Sequence, residues 1–179
     1  MGNISSLENA ALDDGIEILD MLNEIPALES GFENPASNLQ PERFREYLKQ
    51  CVSLSEENHV PAGQVRMTTY WLRIDDSPVG ISRIFHLNNF SLLGEILNNV
   101  AFISYCIRPS ERNKKYGNLI LKKTLNKAIE LKYEKMLLVC SEENVASKKC
   151  ITNNGGILGK THDRQCHYWV KEHSNKSQS

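Results

Sequence analysis

Basic side chains cluster where a helix is predicted to begin, near the middle of the chain. They lie in the stretch IRPSERNKKYGNLILKKTLNKAIE and are Arg108, Arg112, Lys114, Lys115 and, a turn of helix later, Lys122. The start of a helix leaves backbone N–H groups unpaired and carries a partial positive charge, so a tight turn before it can cradle phosphate. Lysine and arginine side chains add charge that phosphates can bind. The cluster therefore predicts a phosphate-binding site, and a pyrophosphate is the ligand it favours.

The two common nucleotide-binding fingerprints are absent from this region. GxxxxGK[ST] does not occur, and there is no GxGxxG after a strand that opens a βαβ unit. The formal net charge of -1 gives no global positive field, so we predict no nucleic-acid partner. A merely solvated basic loop stays open as the alternative.

Cysteine and histidine usage argues against metal and disulfide chemistry. The 5 cysteines are widely spaced without a CxxC pair, and His162 and His167 lack the i, i+4 spacing of a helical metal pair. We predict no metal site. The N-terminus has neither a basic start nor an apolar run, and no stretch approaches the roughly 18 apolar residues of a membrane span. The expectation is a cytoplasmic protein with no membrane contact.

Hydrophobic periodicity predicts the elements that must position the basic cluster. Helices are predicted over residues 11–25, 39–58, 117–131 and 144–154, and strands over 67–74, 79–87, 99–107, 135–141, 156–160 and 165–172. Asn144 is the expected N-cap of the last helix, which Gly155 and Gly156 end. The order ααβββαβαββ predicts an α/β fold with a mixed sheet and helices on its faces. We expect one domain over residues 1–173 and a disordered tail over 174–179.

The segment SERNKKYGN resembles the Arg/Gln-x-x-Gly-x-Gly/Ala signature of the GNAT acetyltransferases, which bind acetyl-coenzyme A. It runs here from Arg112 to Gly117. PVGISRIFHLNN resembles the hairpin before that signature, and NVASKKCITNNGG resembles the Asn-x-x-Ala/Ser helix of the family. ENPAS and RPSER also resemble an uncharacterised bacterial branch of predicted acetyltransferases. The resemblance covers roughly Thr68 to Tyr168 and implies a GNAT-like acyl-CoA N-acyltransferase fold.

The resemblance also implies how the coenzyme is held. Backbone groups of Tyr105 and Ile107 would pair with the pantetheine arm like an added strand. Asn144 and Ser147 would touch the coenzyme farther along. The acceptor substrate would enter from the side built by the N-terminal helices and their loop. The pyrophosphate would lie on the backbone N–H groups that follow Arg112, those of Asn113, Lys114, Lys115, Tyr116, Gly117 and Asn118.

The implied activity is acetyl-CoA-dependent N-acetylation of an amine on a small molecule or peptide. A neutral amine would attack the thioester directly, a base or water would take its proton, and the N–H of Tyr105 would stabilise the thioester oxygen. The base is not identified. Candidates for catalysis are Tyr105, His86, Glu33 and Glu95, each with a plainer alternative: ring packing, a structural histidine, and solvated acids.

The chain departs from the family pattern at two positions. Lys115 stands where the signature has its first glycine, which lets backbone approach phosphate without a Cβ. Ile151 stands where many members carry a tyrosine that protonates the departing thiolate, so no general acid is expected there. These departures keep open the alternative of a non-catalytic module that binds coenzyme A or a partner protein. A homodimer is compatible with the resemblance.

Overall fold

The computed structural model describes residues 4–171. Those residues form four α-helices, one short 3₁₀ helix and eleven strands. The helices are α1 (Ile16–Glu24), α2 (Pro41–Ser55), α3 (Tyr116–Glu130) and α4 (Val145–Asn153), with the 3₁₀ turn at Pro109–Glu111. The strands are β1 (Ser5–Asn9), β2 (Leu28–Glu29), β3 (Phe32–Glu33), β4 (Met67–Ile74), β5 (Ser77–Leu87), β6 (Phe90–Leu92), β7 (Glu95–Leu97), β8 (Val100–Ile107), β9 (Lys135–Ser141), β10 (Ile157–His162) and β11 (Gln165–Lys171).

Seven of the strands build one mixed sheet in the order β1-β4-β5-β8-β9-β11-β10. All neighbours run antiparallel except β8 and β9, which are parallel. The crossover between these two strands is α3, as a parallel connection requires. The predicted α/β fold class is thereby confirmed.

Helices cover the two faces of the sheet. Side chains alternate along each strand, so one face packs on α1 and α2 and the other on α3 and α4. We call the α1–α2 side the front face, where Trp71 and Ile81 meet both helices, and the α3–α4 side the back face. On the back face Leu121, Leu125 and Ala128 of α3 are buried in the largest core cluster. These layers fix the position of the loop that leads into α3.

An N-terminal strand was not predicted. β1 pairs antiparallel with β4 at the edge of the sheet, and Lys123 Nζ donates to the Ser5 carbonyl oxygen at 3.0 Å. The segment is short and polar and has no alternating apolar pattern, so its pairing with β4 decides its conformation.

The predicted start of the first helix at residue 11 was wrong. The Asp14 carboxylate accepts hydrogen bonds from the Ala11 N–H at 2.8 Å and from Trp71 Nε1 at 2.6 Å. An aspartate side chain used in this way holds a turn, and α1 begins only at Ile16.

Two small hairpins replace segments predicted as loops. β2 and β3 are joined by Ser30 and Gly31, and β6 and β7 by Leu93 and Gly94. All four turn residues have positive φ, which suits two-residue hairpin turns. The predicted tail, residues 174–179, lies outside the described residues. No helix within residues 4–171 is long and apolar enough to cross a membrane.

Candidate functional site

A cleft of about 760 Å³ opens where β8 and β9 part. The two strands pair only from Val100 to Phe102 on β8 and from Lys135 to Leu137 on β9. Beyond these residues the strands diverge, and the sheet has a wedge-shaped gap. The β2–β3 turn lies at the front side of the gap, and the loop into α3 and the first turns of α4 lie at its other walls.

The β8 edge of the gap carries backbone groups that β5 does not use. The Arg108 N–H donates to the Val79 carbonyl oxygen at 3.0 Å, and residues in an antiparallel ladder alternate between bonding their partner strand and pointing away from it. The N–H and C=O groups of Ile103, Tyr105 and Ile107 therefore point toward β9, into the gap. The Ile107 carbonyl oxygen accepts from Arg112 Nε at 3.0 Å. An extended molecule lying in the gap can pair with the other groups as a strand would.

The loop into α3 presents a concave row of backbone donors. Asn113 and Lys115 both adopt left-handed backbone conformations, with φ of 64° and 67°, and Lys115 is the N-cap of α3. Within the described part of the chain, the N–H groups from Asn113 to Asn118 have no backbone acceptor. Such an arrangement at a helix N-terminus binds anions, because the donors converge and the helix dipole favours negative charge. The residues present thus fit a pyrophosphate.

Three of the five arginine and lysine side chains of the basic cluster are paired with carboxylates. Arg112 makes two bonds to the Glu29 carboxylate, at 2.8 and 2.6 Å, and one to the Ile107 carbonyl oxygen at 3.0 Å. Lys114 Nζ binds Glu111 at 2.8 Å. The Arg112 guanidinium therefore ties the loop to the β2–β3 hairpin, and the backbone and Lys115 remain as the donors nearest the expected phosphates.

Arg108 has a similar structural partner. Its guanidinium binds Glu24 at the end of α1 and the Pro78 carbonyl oxygen. The hydrogen bond from Arg108, with help from Ser110, lowers the pKa of Glu24 to about 2. The pair links α1 to the end of β8 and so fixes the strand from which the loop departs.

Tyr105 reaches from β8 across the back side of the gap to α4. Its hydroxyl lies 3.3 Å from Ser147 Oγ, and burial raises its pKa, so the phenol stays protonated at neutral pH. Asn144 Oδ1 accepts from the Ser147 N–H at 3.0 Å and caps α4, as predicted. Gly117 stands where α3 approaches α4, since a Cβ there would lie 3.2 Å from Cys150 Sγ.

Most of the predicted coenzyme contacts line the cleft. Lys114, whose side chain is exposed and paired, is not among the lining residues. The lining residues from the prediction are Tyr105, Ile107, Arg112, Asn113, Lys115, Tyr116, Gly117, Asn118, Asn144 and Ser147.

Three of the proposed catalytic residues lie elsewhere. His86 Nε2 is bonded to Thr68 Oγ1 at 2.9 Å and Nδ1 to the Tyr133 hydroxyl at 2.7 Å, on the back face away from the gap. Glu33 is exposed, and Glu95 pairs with Lys160 at 3.0 Å. None of the three lines the cleft; Tyr105 alone of the four does.

Ile151 supplies no general acid, and Cys106 supplies no ionised thiol. Ile151 is 1% exposed and packs in the back-face core. Burial raises the pKa of Cys106 to about 11, so the thiol is not ionised at neutral pH. Within residues 4–171 no group of three or more His, Cys, Asp or Glu side chains is placed to hold a metal ion.

The β2–β3 turn is a wall of the cleft that sequence reasoning missed. Glu29, Ser30, Gly31 and Phe32 all line it. The Ser-Gly pair between two short apolar segments was the available signal, because glycine at a positive φ is typical of tight hairpins. Its place beside the gap depends on the contact of Glu29 with Arg112, which lies 83 residues away.

Comparisons with known proteins agree with this geometry. The model of the acetyltransferase (GNAT) family matches residues 25–155. No curated protein sequence matches the chain. The fold is similar to that of ribosomal-protein-S5-alanine acetyltransferase from Vibrio fischeri, with a TM-score of 0.72 and 11% identity over 97% of this chain and 98% of that one.

Two further solved structures are similar and are described as coenzyme A complexes. RimL, a ribosomal L7/L12 alpha-N-protein acetyltransferase, has a TM-score of 0.69 and 12% identity over 93% of both chains. Aminoglycoside acetyltransferase AAC(6')-Ib has a TM-score of 0.68 and 14% identity over 94% of this chain and 95% of that one. At these identities the likeness is one of fold. Because the family model spans well over half of the sequence, this chain belongs to the GNAT acetyltransferase family.

Proposed function

We propose that the protein transfers the acetyl group of acetyl-coenzyme A to an amine of a small molecule or peptide. The observation that carries this proposal is the gap between β8 and β9, along which the two strands do not pair with each other and at one end of which lies a row of backbone donors. A long, flexible thioester carrier with a pyrophosphate matches both features. The similar proteins that bind coenzyme A support the same assignment.

The coenzyme would lie in the gap as an added strand. Its pyrophosphate would rest on the N–H groups from Asn113 to Asn118, and its pantetheine arm would pair with the Tyr105 carbonyl oxygen and the Ile107 N–H. Asn144 and Ser147 would contact the arm from the α4 side. The acetyl group would then lie near the inner end of the gap, where β8 and β9 come together.

The chemistry needs little covalent help from the protein. The nitrogen of a neutral amine attacks the thioester carbon, a C–N bond forms, and the C–S bond breaks with its electron pair on sulfur. The nitrogen loses one proton to a base, and the N–H of Tyr105 stabilises the carbonyl oxygen while it carries charge. A thiol has a pKa of about 8.5, so the thiolate leaves without an acid at the position of Ile151.

Thiol release across a panel of amines tests the proposal. The protein is incubated with acetyl-coenzyme A and each amine in turn, free thiol is followed with a disulfide reagent, and the acetylated amine is identified by mass spectrometry. Equal amounts of thiol and acetylated amine are expected for at least one amine class. Coenzyme binding without thiol release for any amine would favour the non-catalytic module. The cytoplasmic location and a homodimer stay predictions from the sequence.

A further inference from the structure

A second cavity, of about 600 Å³, lies on the front face of the sheet. Its floor is formed by β4, β5, β8, β9 and β11, and it is covered by the C-terminal end of α2 and by the β6–β7 hairpin. Leu54, Phe85 and Leu92 are typical of its lining, which is almost entirely apolar. The polar side chains on its walls are Gln64 and His167. We call this cavity the front pocket.

The front pocket adjoins the inner end of the gap. Phe102 and Val139 line both. Phe102 is the last residue of β8 that pairs with β9, and Val139 lies on β9 just past the point of divergence. A molecule in the front pocket therefore lies beside the inner end of the gap.

His167 lies beside the place where the front pocket and the gap adjoin. It pairs with Val139 across the β9–β11 ladder, so the two Cα atoms lie about 5 Å apart and both side chains face the front pocket. The residue is 6% exposed. Unlike His86, its ring has no hydrogen-bond partner among the residues that the structure describes.

The surroundings of His167 keep its ring neutral. Burial lowers its pKa first, and the charges of Lys160 and His162 on β10 lower it further, while Glu95 on β7 opposes them. Glu95 is itself paired with Lys160. A neutral imidazole has an unshared pair on one ring nitrogen and can accept a proton near pH 7.

We propose that the front pocket takes the apolar part of a monoamine acceptor, an alkylamine or arylalkylamine, and that His167 removes the proton from its nitrogen. The amine nitrogen forms the bond to the thioester carbon, and its proton moves to the free ring nitrogen of His167, directly or through one water. This inference rests on the proposed function and adds the substrate class and the base. A polyamine is disfavoured, because no carboxylate lines the front pocket to pair with a second ammonium group.

The front pocket is also large enough for a longer acyl chain on the thioester. The structure favours the amine as its occupant for two reasons. An acyl chain needs no base, whereas the titratable group that lines the pocket is a buried histidine without a partner among residues 4–171. An apolar wall also disfavours the protonated form of an amine, which lowers the pKa of the ammonium group and supplies the neutral nucleophile.

The substrate class is tested with a homologous series of primary alkylamines from propylamine to hexylamine, whose nitrogens have nearly the same pKa. We expect kcat/KM to rise about fourfold for each methylene group that the pocket buries. Spermidine serves as the polyamine comparison and hexanoyl-coenzyme A as the long-acyl comparison. A flat series, a preference for spermidine, or a preference for the hexanoyl donor over the acetyl donor would overturn the assignment of the pocket.

The base is tested by the pH dependence of kcat/KM for the best amine at saturating acetyl-coenzyme A. Both the amine and His167 must be neutral, so log kcat/KM should rise with a slope of two below the pKa of His167 and a slope of one above it. His167→Gln should lose activity by roughly 100-fold or more and show a slope of one throughout. His59→Gln, which changes an exposed histidine on the loop after α2, is the matched control and should keep both slopes.

Calorimetry with coenzyme A distinguishes a failure of the proposed function from a failure of the base assignment. Wild-type protein that does not bind coenzyme A would contradict the proposed function itself. Binding and turnover that are unchanged in His167→Gln would contradict only the base assignment. If His167→Gln does not fold, His167→Asn, which also lacks a titrating ring nitrogen, is measured in its place, and unchanged turnover in that variant would contradict the base assignment.

Discussion

Replacing Lys115 by glycine and by alanine tests the geometry of the loop most finely. Lys115 has φ of 67°, a left-handed conformation that costs a residue with a Cβ roughly 1–2 kcal/mol. Glycine does not pay this cost but loses more conformational freedom on folding, by about 0.5–1 kcal/mol. Lys115→Gly should therefore be more stable than Lys115→Ala by about 1 kcal/mol, which corresponds to roughly 2–4 °C in Tm for a chain of this size.

Lys122 supplies the matched control. It is exposed inside α3, where the backbone is right-handed, so its glycine variant should be less stable than its alanine variant by about 1 kcal/mol. The order of the two variants should thus reverse between positions 115 and 122 in urea unfolding. In calorimetry Lys115→Gly should bind coenzyme A at least as tightly as Lys115→Ala, since both lack the same charge. An alanine variant at 115 as stable as the glycine variant would refute the left-handed backbone, and with it the cradle.

Further predictions concern the back-face core. Burial, with a smaller effect of the Arg66 charge, lowers the pKa of His86 to about 4. As pH falls from about 6.5 to 4, His86 therefore becomes protonated in the unfolded chain but stays neutral in the folded protein, and the folded state loses stability. Over this pH range, the free energy of unfolding measured by urea denaturation should fall by roughly 2 kcal/mol more in the wild type than in His86→Gln. An equal fall in the two proteins would show that His86 is exposed or charged in the folded state. Ile151→Tyr, which restores the tyrosine of the family pattern, should destabilise by about 1–3 kcal/mol because Ile151 is closely packed against Gly156. A gain in acetyl transfer with no loss in Tm would contradict that packing.

The regular elements were predictable because their signals are local. The amphipathic stripe of α3 and the apolar runs of β8 and β9 identify themselves within a few residues. β1 was not predictable, since Ser5–Asn9 is polar and becomes a strand only through its ladder with β4. The start of α1 was missed because the carboxylate of Asp14 binds Trp71, which lies 57 residues away.

The position of the candidate cleft could be predicted, but the partners of its charged side chains could not. A loop between a strand and a helix, with an Arg112 to Gly117 signature, indicates where backbone donors converge. The partners of Arg108 and Arg112 are Glu24 and Glu29, 84 and 83 residues away, and such pairs follow only from the assembled fold. The role proposed for His167 likewise depends on its register opposite Val139.

The central claim is that the turn before α3 binds the pyrophosphate of a thioester carrier, and unfolding with two ligands tests it directly. Coenzyme A and pantetheine share the thiol arm, but only the former carries the pyrophosphate. At about 100 times its Kd, coenzyme A should raise the free energy of unfolding by about 2.7 kcal/mol. That is a rise in Tm of roughly 5–11 °C. Pantetheine at the same concentration should leave Tm nearly unchanged; equal shifts from both ligands, or none from coenzyme A, would contradict the account.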